Sequence, residues 1–122
     1  TKDIDHQFLQ RAVRVVEKHL SDPDFSVTNF CKDLGISRPQ LHRKMTALTN
    51  QSTSKFIRTI RLKHAAGLLA TRSGNVFEVA QEVGFNNLSY FAKCFHEQYD
   101  MSPSEYLAKA PTLQSRMNAS SS

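Results

Sequence analysis

The sequence predicts an all-α fold of about seven helices, arranged as two helix-turn-helix subdomains joined by a long linker helix. Three observations predict it. First, apolar residues recur at three- and four-residue spacing along most of the 122 residues, and no segment alternates as a strand does. Second, one pattern occurs twice, about 50 residues apart. Ser37-Arg38-Pro39-Gln40-Leu41-His42-Arg43-Lys44-Met45 is matched by Asn87-Leu88-Ser89-Tyr90-Phe91-Ala92-Lys93-Cys94-Phe95. Downstream, Asn50, Ser52 and Phe56 are matched by Asp100, Ser102 and Tyr106. Upstream, Cys31 to Ile36 is matched by Ala80 to Phe85, with one extra residue in the second turn. Third, each copy reads as a short helix, a turn glycine and a capped second helix, which is the helix-turn-helix pattern.

The elements follow in order. Leu9, Val13, Val16 and Leu20 form a helical stripe, widened by Phe8 and Ala12, that predicts a first helix from about Asp5 to Leu20. Ser21-Asp22-Pro23-Asp24 ends it. Ser26 can cap a second helix over Val27 to Leu34, stopped by Gly35. Ser37 caps the third, with Pro39 in its first turn, where a missing N–H does little harm. Asn50 and Asp100 stand at matching helix ends, where a left-handed residue is often needed. A long helix is expected from about Ser54 to Thr71, with Phe56, Ile60, Leu68 and Leu69 inward and Ala65 and Ala66 allowing close packing. Ser73-Gly74-Asn75 breaks it. The second unit runs from Val76 to Val83, turns at Gly84 and continues from Leu88 to about Gln98. Ser102-Pro103 opens a last helix. The expected division is therefore a first subdomain over 1–52, a linker helix over 53–72, a second subdomain over 73–110 and a disordered polar tail over 111–122.

Length allows one domain, or two small ones. No run nears the ~18 apolar residues of a membrane span, and no signal peptide is expected in this stretch. A start at Thr1 is expected of a piece of a longer polypeptide. Cys31 and Cys94 fall in helices of different repeats, which suits core thiols in a reducing, cytoplasmic compartment. The formal charge is +5, and its placement is more informative. From Leu34 to Phe77 there is no Asp or Glu, while Arg38, Arg43, Lys44, Lys55, Arg58, Arg61, Lys63 and Arg72 all lie there. A one-signed stretch of this kind attracts a polyanion.

The second helix of each copy is the candidate reading element. With Leu41 at 0° and about 100° per residue, Met45 falls near 40° and Leu48 near 340°, facing a core. Pro39, Arg43 and Thr46 land opposite, flanked by Gln40 and His42. Arg43 is the best candidate for a bidentate contact to guanine, and Gln40 suits adenine. His42 can meet a base edge or a phosphate, and Pro39 shares the base-facing side. Ser37, Arg38 and Lys44 are assigned to phosphates, which set register, as are Arg58 and Arg61 of the linker. In the second copy Phe91 and Phe95 turn inward, while Ser89, Tyr90 and Lys93 are the base-contact candidates. Asn86 and Asn87 stand at the helix start, where donors suit a phosphate oxygen.

These residues carry a specific resemblance. Gly84 through Phe95, followed by Met101-Ser102-Pro103-Ser104-Glu105-Tyr106, resembles the signature of AraC/XylS-type transcription regulators. Ile57 through Ala66, with Leu68-Leu69, is similar to that family's linker helix. The match covers roughly residues 10 to 108. The opening stretch and Leu41 to Ser52 look most like the C-terminal output domains of response regulators and hybrid two-component sensors. The resemblance implies a sequence-specific, double-stranded-DNA-binding regulator whose two second helices enter adjacent major-groove segments. It implies RNA polymerase contact in activators, and upstream receiver or sensor domains in the parent chain. Asp100 departs from the family's usual glycine, and His96-Glu97 from its frequent basic pair. About eighteen linker residues span ~27 Å, comparable with the ~34 Å between successive major-groove faces.

Rival readings have less in their favour. Ser52-Thr53-Ser54-Lys55 fits a bare S-x-x-K, but the partner motifs of acyl-transferring enzymes do not follow, and a helix cap belongs there. No enzyme activity is expected. His6, His19, His42, His64 and His96 are scattered, so no metal, cofactor or small-molecule ligand is expected in this domain, nor any membrane contact. The alternative that stays open is a protein-interaction module in which one or both units no longer contact DNA.

Overall fold

The computed structural model describes residues 2–109. The expected disordered tail over 111–122 lies outside the described residues. Among the described residues there are seven helices and no strand: α1 (Lys2–Lys18), α2 (Val27–Leu34), α3 (Arg38–Thr49), α4 (Thr53–Ala70), α5 (Val76–Glu82), α6 (Leu88–Tyr99) and α7 (Pro103–Ala108). No described helix is long and apolar enough to cross a membrane. The chain divides into two compact units, Thr1–Arg61 and the part from Leu62 onward, so the division falls inside α4.

In the first unit, α1 packs on α2 and α2 on α3. Ala12, Val16, Phe30, Leu34, Leu41, Met45, Phe56, Ile57 and Ile60 form its core. A ring series runs through it, with His19 stacked on Phe25 at 4.7 Å, Phe25 beside Phe30 at 5.9 Å and Phe30 beside Phe56 at 6.3 Å. His19 also meets Asp33 at 2.7 Å, tying the end of α1 to α2. α1 begins earlier than expected, where Asp3 and Asp5 in the first turn complement the helix dipole. It ends sooner because His19 N–H and Leu20 N–H bond to the carbonyls of Val16 and Glu17, tightening the last turn.

Arg61 corrects the sequence reading. It was expected to reach a phosphate, but it is only 7% exposed. Its guanidinium donates to the Asp22 carbonyl at 2.8 Å, 39 residues away in sequence. Burial lowers its pKa, and the nearby Asp22 charge opposes that shift. Arg61 thus pins the α1–α2 loop to α4, a buried donor with a structural task.

In the second unit α5, α6 and α7 pack on one another. Phe91 and Phe95 are fully buried, with Phe85 at 5.1 Å from Phe91 and Tyr106 edge-on to Phe95 at 5.3 Å. Val79, Ala80, Val83 and Cys94 are also buried. Both cysteines are free and buried.

Phe91→Ala is expected to cost ~3–5 kcal/mol of stability, as a large core truncation does, read from denaturant melts. Arg61→Ala is expected to destabilise by about 1.5–3 kcal/mol through the loss of a charged hydrogen bond. The salt dependence of DNA binding should not change in that variant, and a flattened dependence would return Arg61 to the phosphate set.

Candidate nucleic-acid interface

Caps and turns place each second helix. Gly35 closes α2 with φ 70°, its N–H bonding to the Cys31 carbonyl at 2.8 Å. A left-handed residue is needed here, and glycine adopts it without steric cost. Ser37 then caps α3. Its hydroxyl accepts from Gln40 N–H at 3.3 Å, and Gln40 Oε1 accepts from Ser37 N–H at 3.1 Å, a reciprocal capping box. Asn50 ends α3 with φ 55°, as expected of its position. The second unit repeats the plan with differences. Gly84 (φ 86°) makes the turn, and Phe85 N–H bonds to the Ala80 carbonyl at 2.8 Å. Asn87 caps α6, its Oδ1 accepting from Tyr90 N–H at 2.9 Å. Asp100 ends α6 with φ 58°.

The inward rows are as expected. Leu41 and Met45 are fully buried, as are Phe91 and Phe95. Pro39, His42, Arg43, Ser89, Tyr90 and Lys93 are all exposed, together with Arg38, Lys44, Asn86 and Asn87. The outer face of α3 therefore offers two guanidiniums, an ammonium and an imidazole, with no acid on the helix. Such a face attracts a polyanion and supplies donors that fit guanine and phosphate.

Three side chains have additional tasks. Gln40 spends its carbonyl oxygen on the cap, so its amide N–H₂ is what remains to donate outward. The pattern Ser37-x-x-Gln40 signals this capping box in the sequence itself. Lys44 lies 5.0 Å from the Phe8 ring centroid, which holds its ammonium over α1 by a cation–π contact. Ser37 uses its hydroxyl as the helix cap. Arg58 is half-buried on α4. Ser52, in the S-x-x-K segment, accepts from Lys55 N–H at 3.2 Å and so caps α4.

Similarity to known proteins agrees with this geometry. A helix-turn-helix domain family model matches residues 30–109. Histidine kinase P4 of Formosa agariphila is 41% identical over 103 residues, covering 84% of this chain, and the match spans 8% of the kinase's length. Regulatory protein SoxS of Salmonella typhimurium is 28% identical over 100 residues, covering 82% of this chain and 92% of SoxS. The C-terminal domain of AraT, a response regulator from Geobacillus stearothermophilus, has a TM-score of 0.74 at 26% identity, covering 84% of both chains. The DNA-binding domain of the global transcriptional factor AdpA, solved with a target DNA, has a TM-score of 0.74 at 27% identity, covering 90% of this chain and 96% of that one. The seven helices among the described residues, two of them capped second helices of the repeated units, and this set of relatives place the chain in the AraC-type helix-turn-helix family of DNA-binding transcription regulators.

Proposed function

We propose that the chain is the DNA-binding output domain of a larger two-component-type regulator in the cytoplasm, and that both second helices enter major-groove segments of one duplex. The single observation that carries the DNA reading is the exposed, acid-free face of α3 around the buried Leu41–Met45 row. On that face Arg43 reads a guanine edge, with His42 and Pro39 against neighbouring bases. Gln40 adds its amide N–H₂ to this set. Arg38, Lys44 and Arg58 hold phosphates, helped by the polar end at Ser37. On α6, Ser89, Tyr90 and Lys93 meet bases, while Asn86 and Asn87 meet phosphate. The subdomain boundaries at 52 and 72 are proposed on the extent of α4, Thr53–Ala70, as the linker helix.

Two relatives support the two-component context. One is a histidine kinase in which the matched stretch is a small fraction, and the other is a response regulator's C-terminal domain. Upstream receiver or sensor domains would then deliver the signal, and RNA polymerase is the partner that the family resemblance implies for activation. The domain itself is assigned no catalytic role.

Selection of bound duplexes from random DNA at stated salt tests the proposal. Three phosphate-binding cations predict that log K falls against log salt with a slope of about −2.7. A flat response would instead favour a protein-interaction module. Arg43→Ala is expected to cost ~1–3 kcal/mol on a selected site and to relax preference at one base position. Equal loss on random duplexes would reduce Arg43 to a backbone contact.

A further inference from the structure

The two reading helices differ in a systematic way. Aligned through the repeat, Arg38, Gln40 and His42 of α3 correspond to Leu88, Tyr90 and Ala92 of α6. Polar or cationic side chains in the first copy are thus replaced by apolar or aromatic ones in the second. The replacements at the helix start are not buried by the fold. Leu88 is 44% exposed and Tyr90 47% exposed, and they are two of the four exposed large hydrophobics among the described residues. Both lie in the first turn of α6, beside the exposed Ser89. The N-terminal residues of a recognition helix are those that contact base edges. Leu88, with Tyr90 beside it, there offers apolar carbon to whatever lies against the helix start.

In the major groove that chemistry is supplied by one group. Only thymine presents a methyl at the base edge, at C5, and apolar side chains pack on it. Leu88 has no donor or acceptor with which to read any other base. Tyr90 leans on Phe85, ring centroids 6.0 Å apart, so its ring is supported from within the unit. Asn87 caps the helix and keeps Leu88 at its first position.

We infer that α6 reads thymine 5-methyl groups through Leu88, with Tyr90 alongside, so that the second half of the binding site is selected by apolar contact while α3 selects its half by hydrogen bonds. This rests on the proposed DNA-binding role of α6. The protein's preference is then for a half-site in which at least one thymine lies under the start of α6.

The test uses a duplex recovered by selection from random DNA, and the same duplex synthesised with deoxyuridine for thymidine in the half protected by the second unit. Uracil keeps every hydrogen-bonding group of thymine and lacks only the methyl. The wild-type chain is expected to bind the uracil duplex about four-fold more weakly for each methyl contacted, the ratio for one buried methyl. Leu88→Ala should shrink that ratio, and the Leu88→Ala, Tyr90→Ala double variant should bind the two duplexes equally while remaining folded by circular dichroism. Arg43→Ala should bind both more weakly and keep the thymine-to-uracil ratio. Equal wild-type affinity for both duplexes would overturn the inference and leave DNA binding intact. A ratio that persists in the Leu88→Ala, Tyr90→Ala double variant would also overturn it, as would a selected half-site without thymine. Failure of the wild-type chain to bind any duplex would instead overturn the DNA-binding role itself.

Discussion

The rotational setting of each second helix depends on two inward side chains, one turn apart. Leu41 and Met45 hold α3, and Phe91 and Phe95 hold α6, all four without solvent exposure. A helix turns by about 100° per residue, so two buried residues four apart fix which side chains are left outside. A slip of one residue on α3 would bring His42 toward the core and draw Leu41 out of it. Thr46 would take the place of Met45, and burying polar groups without partners costs roughly 1–3 kcal/mol each. The apolar pair therefore determines which face of each second helix is left outside.

Rotation alone does not aim a helix. Its entry angle is set by the turn before it, which the chain closes with local hydrogen bonds and a left-handed glycine. Gly35 N–H bonds back to Cys31, and Phe85 N–H bonds back to Ala80. The second turn has one more residue than the first, Asn86, before its cap at Asn87. The exits are equally defined. Asn50 and Asp100 both adopt φ near 55–58°, and each N–H returns to a carbonyl four residues back, Thr46 and His96. The long helix α4 ends differently. Its left-handed residue is Arg72, at φ 54°, ahead of the glycine in Ser73-Gly74-Asn75, and Ser73 N–H reaches back to Leu68. A non-glycine residue there carries a strain of about 1 kcal/mol, held in place by that closing bond.

What was legible in the sequence is what short-range rules govern. Caps at Ser26, Ser37 and Ser102, the stop at Gly35, and the left-handed ends at Asn50 and Asp100 all depend on residues within four positions of one another. The inward rows were legible because helical periodicity is also local. Arg61 was not. Its partner is the Asp22 carbonyl, across a long separation, and nothing nearby in sequence marks it. A lone arginine in a basic segment defaults to the surface. α4 hides the distinction further, since Phe56, Ile57, Ile60, Arg61, Leu62, Ala65, Ala66 and Leu69 are buried on nearly every side of it. The hold of Phe8 on Lys44 was missed for the same reason, because it joins α1 to α3. Gln40 is a different case. Its capping-box spacing and its outward angle are both local, and one side chain serves the cap while still facing outward.

The duplicated pattern separates what the fold requires from what it leaves open. Matched positions that serve packing or capping keep their chemistry: Leu41 with Phe91, Met45 with Phe95, Asn50 with Asp100, Ser52 with Ser102. Both serines accept a hydrogen bond from the backbone N–H three residues on, Lys55 and Glu105, each at 3.2 Å. Several matched positions that face outward change character, from Arg38 to Leu88, Gln40 to Tyr90 and His42 to Ala92, while Arg43 and Lys93 both keep a cation. Core burial and helix capping constrain the first group, because each loss there costs stability in every context. The second group is less constrained from within, although Gln40 closes the α3 capping box and Tyr90 leans on Phe85. One helix presents donors and charge, and the other presents carbon at its start and a single cation, Lys93, further along. Two copies of one scaffold thus present two different surfaces, and under the proposed DNA-binding role a duplex that satisfies both would be chemically unlike in its two halves.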